Sequence, residues 1–148
     1  MRTLEDIEAY LKRSSYPHRE LDEGTWLVED PSGVREQIVV RIRDGLALFR
    51  VNVLDASEVD PAKKTSLYET MLSLNANDMV HGAYGIAEGQ FVLTATLRME
   101  NLDFNEFIGT LDDFGVALSK HIARFGEHRT PSPSPKGTSP TKTATVKN

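Results

Sequence analysis

The sequence predicts an α+β domain in the order α–βββ–α–ββ–α, an antiparallel sheet packed by helices. Three observations carry that prediction. The turn pairs Asp44-Gly45 and Glu88-Gly89 each join two β-rich runs, which is the pattern of a tight hairpin. Those runs alternate at a period of two. A long stripe of apolar residues at helical spacing then closes the domain, from Phe104 to Phe125.

The first helix covers 4–13, where Leu4, Ile7 and Leu11 share one face. Thr3 supplies an N-cap, and Glu5 and Asp6 set negative charge at the positive end of the helix dipole. Tyr16-Pro17 ends the helix. Three strands follow: one near Trp26-Leu27-Val28, one over 36–43 and one over 46–54. Pro31-Ser32-Gly33 makes the first turn and Asp44-Gly45 the second. Ile38, Val40 and Ile42 alternate with Val39, Arg41 and Arg43, and Ala47, Phe49, Val51 and Val53 alternate with Leu46, Leu48, Arg50 and Asn52. One sheet face is apolar and the other mixed, as in a sheet covered on one side.

Asp60-Pro61 opens a middle helix, an acceptor followed by Pro at the first helical position. It runs to about Leu74, and Asn75-Ala76-Asn77-Asp78 is read as its break. The second hairpin spans 81–87 and 90–99. Phe91, Leu93, Ala95, Leu97 and Met99 point one way, and Val92, Thr94, Thr96 and Arg98 the other. In the last helix Asp103 and Glu106 fit a capping box, Phe104, Phe107, Ile108, Leu111, Phe114, Leu118, Ile122 and Phe125 form the buried stripe, and Gly126 supplies the C-cap.

Charge divides the 148 residues in two. Residues 1–128 hold 13 basic and 22 acidic residues, a net of −9, whereas 129–148 hold four basic residues, four prolines and no acid. The second part has too little apolar surface to offset its ordering entropy and is expected to be a disordered Pro/Ser/Thr-rich tail. Thr130, Ser132, Ser134 and Ser139 each precede a proline there. The acidic balance argues against nucleic acid as the main partner. No apolar run approaches the roughly 20 residues of a membrane span, and the start MRTLED is not that of a secretory signal. A cytoplasmic protein with no membrane partner is expected.

Catalytic chemistry finds no foothold. There is no Cys, which removes thiol nucleophiles and Cys-ligated metals. His18, His81, His121 and His128 lack metal-ligand spacing, and each is read as structural or solvated. Asp112/Asp113 are placed on the polar face of a helix and Glu20/Asp22/Glu23 in a loop, where carboxylates stay solvated rather than forming an acid/base pair. Gly82, Gly85 and Gly89 lie between strands, without the helix that a phosphate loop feeds. No enzyme, cofactor or metal is expected.

Two features exceed a plain core. The middle helix carries Leu67, Tyr68, Met71 and Leu72 on more than one side, and the hairpin's second face carries Val92 and Thr94. Surplus apolar area of this kind marks a protein interface. If these residues form a homodimer face, a charge at Met71 or Val92 should yield a folded monomer.

The stretch LYETMLSLNANDMVHGAYGIAEGQFVLTATLRMENLDFNEFIGTLDDFGVALSKH, 67–121, resembles the YbjN family and the related CesT-like type III secretion chaperones. The resemblance rests on a helix ending Leu72-Ser73-Leu74-Asn75, a short strand with Gly82, the strand Phe91 to Thr96, and Leu102-Asp103 opening a long helix. The chain before it matches by element order only. The resemblance implies a type III secretion chaperone-like fold and a non-enzymatic homodimer that binds a protein or peptide client. The Pro/Ser tail departs from members that stop near the last helix. The competing reading is a small-ligand-binding regulatory domain with a pocket between sheet and helices.

Overall fold

The computed structural model describes residues 1–30 and 37–131. Its elements are α1 (Leu4–Arg13), β1 (His18–Asp22), β2 (Thr25–Glu29), β3 (Gln37–Arg43), β4 (Leu46–Asp55), α2 (Lys64–Asn77), β5 (Ala83–Ala87), β6 (Gln90–Arg98) and α3 (Phe104–Gly126). Six strands form one antiparallel sheet in the order β1-β2-β3-β4-β6-β5. The α+β class holds, with one more strand than the sequence predicts.

That strand is β1, read as an acidic loop. All but its first residue are exposed, so no apolar alternation betrays it. Backbone pairing with β2 alone makes it a strand, as suits a charged sheet edge. The hairpin turns form as expected: Asp44 and Gly45 have φ of 53° and 77°, Glu88 and Gly89 of 54° and 76°. The turn expected at 31–33 lies outside the described residues.

Registers set the two faces. Trp26 opposes Val40, which opposes Phe49, and these face the helices together with Val28, Ile38, Val51 and Leu93. Phe107 and Phe114 of α3 lay their rings 5.3 Å and 6.2 Å from Phe49, a spacing at which aromatic pairs add to simple burial. From α1, Ile7 and Leu11 complete this core. Tyr10 rests on Phe104 and Phe107, and its hydroxyl donates to the Leu102 carbonyl at 2.8 Å.

The N-caps of α1 and α3 follow the sequence, whereas the expected C-cap Gly126 is the last residue of α3, with Glu127 at the cap, and Phe104, Ile108 and Ile122 of the expected stripe are only half-buried. Thr3 accepts from the Asp6 N–H and Asp6 reaches back to Thr3 N–H, a full capping box. Asp103 accepts from the Glu106 N–H at 2.7 Å. Asp60 accepts from the Ala62 N–H at 3.0 Å, but what Pro61 opens is a 3₁₀ turn, Pro61–Lys63, that runs on into α2.

At the far end, Arg129 and Thr130 are part of the described structure, although the sequence reading put them in the tail. Val59 pairs with Arg129 in an isolated bridge, and the Thr130 N–H donates to the Glu58 carbonyl at 2.8 Å. The rest of the expected tail, 132–148, lies outside the described residues.

Candidate functional site

Strand β5 is the last strand of the sheet, and α2 lies beside it. Asn75 joins the two. Its side-chain amide donates to the Tyr84 carbonyl at 3.0 Å, and its carbonyl accepts from the Tyr84 N–H at 2.7 Å. One side chain thus imitates a pairing strand. This is why α2 continues to Asn77, past the break expected after Leu74: Asn75 satisfies backbone groups of β5 instead of competing with its own helix.

Between α2 and β5 runs an apolar cleft of about 310 Å³ lined by Tyr68, Met71, Leu72, Tyr84, Ile86 and Phe91, with Gly85 leaving its floor flat. Its rim is exposed: Leu72 by 67 %, Ile86 by 56 % and Tyr68 by 40 %. Exposed Leu and Ile on adjacent elements form a contiguous patch, which the scattered single apolar residues of a surface do not.

The expected site residues divide. Tyr68 and Leu72 reach the cleft rim, and Met71 forms its buried wall. Leu67 is fully buried in the core. Val92 lies on the sheet face away from the helices, beside Asn52 and Gly85, and is only 3 % exposed. Thr94, half-buried, shares that outer face. One groove therefore gathers part of the set, while Val92 and Thr94 belong to another surface. Ile86, Tyr84 and Phe91 were not singled out from sequence. Ile86 stands out only once β5 is known to be an edge.

A buried polar chain braces the cleft from behind. The Tyr84 hydroxyl lies 2.7 Å from His121 Nδ1, and His121 Nε2 lies 2.5 Å from Asp78 Oδ2. The network assigns donation from tyrosine to Nδ1 and from Nε2–H to the carboxylate. His121 is fully enclosed, so α3 ties the strand that floors the cleft to the end of the helix that walls it. Beside it His81 pairs with Asp113, and the Tyr16 hydroxyl donates to Asp112 at 2.5 Å. The adjacent aspartates read as a solvated face therefore each hold a partner. Burial pushes the Tyr84 hydroxyl well above its ordinary pKa, with the Asp78 charge adding to it. The His121 hydrogen bond holds the Asp78 carboxyl below the usual range, against partial burial, with Lys120 helping.

A carboxyl with a depressed folded-state pKa contributes stability above its unfolded value of about 3.9 and loses it as pH falls through the folded value. Asp78→Asn should therefore be less stable than wild type at neutral pH. The gap should close as pH drops below about 4. Urea denaturation at both pH values checks this, and an equal gap at both would show that the Asp78 charge contributes nothing.

Among the described residues no group of three or more His, Asp or Glu side chains is placed to hold a metal. With the edge groups of Tyr84 already taken by Asn75, the apolar cleft is suited to docking apolar side chains of another polypeptide.

The family model CesT_Tir_1 matches residues 1–128. The chain belongs to the CesT_Tir_1 family. Membership makes it a chaperone-like, protein-binding protein and bears out the resemblance to CesT-like chaperones. Among solved structures it is similar to a chain of the heterodimeric ExoU–SpcU complex of the Pseudomonas aeruginosa type III secretion system, with a TM-score of 0.63 and 17 % identity, covering 79 % of this chain and 95 % of that one. It is similar also to YbjN of E. coli, with a TM-score of 0.63 and 13 % identity over 88 % and 97 % of the two chains. A chain of the ExsC–ExsE complex gives a TM-score of 0.59 and 16 % identity over 89 % and 100 %. At these identities the likeness is one of fold. No curated protein sequence matches the chain.

Proposed function

We propose that this protein is a non-enzymatic, cytoplasmic chaperone that works as a homodimer and binds a polypeptide client. The observation that carries the homodimer is the apolar cleft between α2 and the last strand, β5. Family membership supports the protein-binding part, and the ExoU–SpcU and ExsC–ExsE relatives occur in complexes with other polypeptides. Among the described residues no helix is long and apolar enough to cross a membrane.

The cleft is assigned to the dimer contact. Strand β5, Ala83-Tyr84-Gly85-Ile86-Ala87, has no proline and no charge, and because Asn75 takes the Tyr84 edge groups the contact is one of apolar side chains. A two-fold axis beside it would bring the same patch from each subunit together. Leu72 and Ile86 of both subunits would then be withdrawn from water, at about 1.5–3 kcal/mol for each fully buried side chain. The small-ligand reading fares worse, because the cleft lining lacks the convergent polar groups that orient a ligand. The Tyr84 hydroxyl points away to His121.

Leu72→Asp and Ile86→Asp should each give a folded monomer, since both side chains are exposed within one subunit. Sedimentation with circular dichroism reads both properties. A wild type that sediments as a monomer at high micromolar concentration would remove the dimer.

A further inference from the structure

The sheet face turned away from the helices leaves Arg41, Arg43, Asn52, Thr96 and Arg98 exposed, while Val92 on it is buried, and its β3–β4–β6 part carries a charge opposite to the net charge of the domain. Across β3, β4 and β6 the registers place Arg43 beside Leu46 and Arg98, Arg41 beside Leu48 and Thr96, and Val39 beside Arg50 and Thr94. Across the strands each arginine thus has an aliphatic neighbour, and along β3 Arg41 and Arg43 occupy successive outward positions. The one carboxylate among the outward positions of these three strands, Asp55, sits opposite Gln90 at the end of the sheet away from Arg43 and Arg98, and accepts from the Gln90 amide at 2.9 Å. A shallow hollow of about 430 Å³ lies at the centre, lined by Gln37, Val39, Arg41, Leu48, Arg50 and Asn52.

These arginines have few partners. Arg50 meets Glu88 at 3.7 Å, and Arg41 donates to Thr25 at 3.3 Å. No described carboxylate pairs with Arg41, Arg43 or Arg98; Asp22 and Glu23 flank Arg41 and Arg43 at the rim of the sheet. The domain, 1–128, has a net charge of −9, so a basic face of this size is a segregation of charge.

We infer that this face docks an extended acidic segment of another polypeptide, one in which Asp or Glu alternates with aliphatic residues. This rests on the protein-binding reading and adds the chemistry of the client. Guanidinium forks pair with carboxylates in two-point geometry, and a strand-like segment with Asp or Glu at every second residue turns all of them to one side, at the spacing of successive outward positions such as Arg41 and Arg43. Residues 132–148 are not the occupant: they hold three lysines and no acid, which this face repels. Nucleic acid fits less well. The outward positions of β3, β4 and β6 carry no aromatic side chain on which bases would stack, and the acidic domain repels a long polyanion.

The test is fluorescence anisotropy with the full-length protein and a synthetic peptide of about eight residues alternating Glu with Val or Leu, long enough to span β3. Binding should weaken about tenfold or more when Arg41→Glu is combined with Arg50→Glu, and should fall as salt is raised from low to about 0.15 M. Arg41→Gln with Arg50→Gln removes the charge without reversing it and should weaken binding by a smaller factor. Leu72→Asp should leave peptide binding unchanged, so the dimer contact and this face are read separately. Equal binding of the Lys-for-Glu peptide, no effect of charge reversal, or tighter binding of a duplex DNA of either sequence would each overturn the inference.

Discussion

Gly82→Ala should destabilise the protein by about 2–5 kcal/mol, because two costs coincide there. Gly82 has φ of +90°, a conformation in which a Cβ crowds the backbone. A Cβ built there would lie 2.7 Å from the Thr94 carbonyl oxygen and 2.9 Å from the Phe114 ring. The first neighbour belongs to the ladder of β6 and the second to the fully buried stripe of α3, so neither can give way cheaply. The residue is where the chain leaves α2 and turns into β5, so the damage should fall on the cleft. Gly85→Ala is the control, since a Cβ there meets nothing within 4 Å. Urea denaturation of both variants measures the difference. A Gly82→Ala variant as stable as Gly85→Ala would mean that the turn is not held in this geometry.

Much of this fold was legible because period and punctuation agree. The alternation in β3, β4 and β6 fixed which face is buried, and Asp44-Gly45 and Glu88-Gly89 fixed where the hairpins turn. What stayed hidden was held by backbone rather than by side-chain pattern. His18–Asp22 pairs as a strand through its main chain while its side chains stay in water. Asn75 reads as a helix breaker by composition, yet it is the residue that couples α2 to β5.

The candidate site shows the same division. Tyr68 and Leu72 were legible as surplus apolar residues on a helix that needs only one buried face. Ile86 was not, because its exposure depends on β5 lying at the edge, a fact of strand order. His121 sat near the apolar stripe of α3, but its bond to Tyr84 joins residues 37 apart in sequence, a pairing that no local period encodes. The arginines of the outer face were visible as alternation in each strand. Their assembly into one basic surface needed the register between strands.

Met71→Asp should unfold the protein or come close to it, whereas the neighbouring Leu72→Asp should not. Met71 is 4 % exposed and Leu72 67 % exposed, so a single residue step, about 100° around the helix, separates a core position from a surface one. The sequence alone made both members of one interface and expected a folded monomer from a charge at Met71. Burial inside a single subunit overturns that expectation. Deleting a buried Met side chain costs about 2–5 kcal/mol, and an unpaired carboxylate in its place adds several more. Together these rival the 5–15 kcal/mol that holds a typical domain folded. Val92→Asp should behave as Met71→Asp does, for the same reason. A buried carboxyl introduced at 71 has a raised folded-state pKa, so its penalty grows as pH rises above about 3.9. Thermal melts at pH 4 and pH 7 should then show the larger loss at pH 7. If Met71→Asp melted with the wild type at both pH values, the wall of the cleft would not be the packed surface that α2 presents to the core.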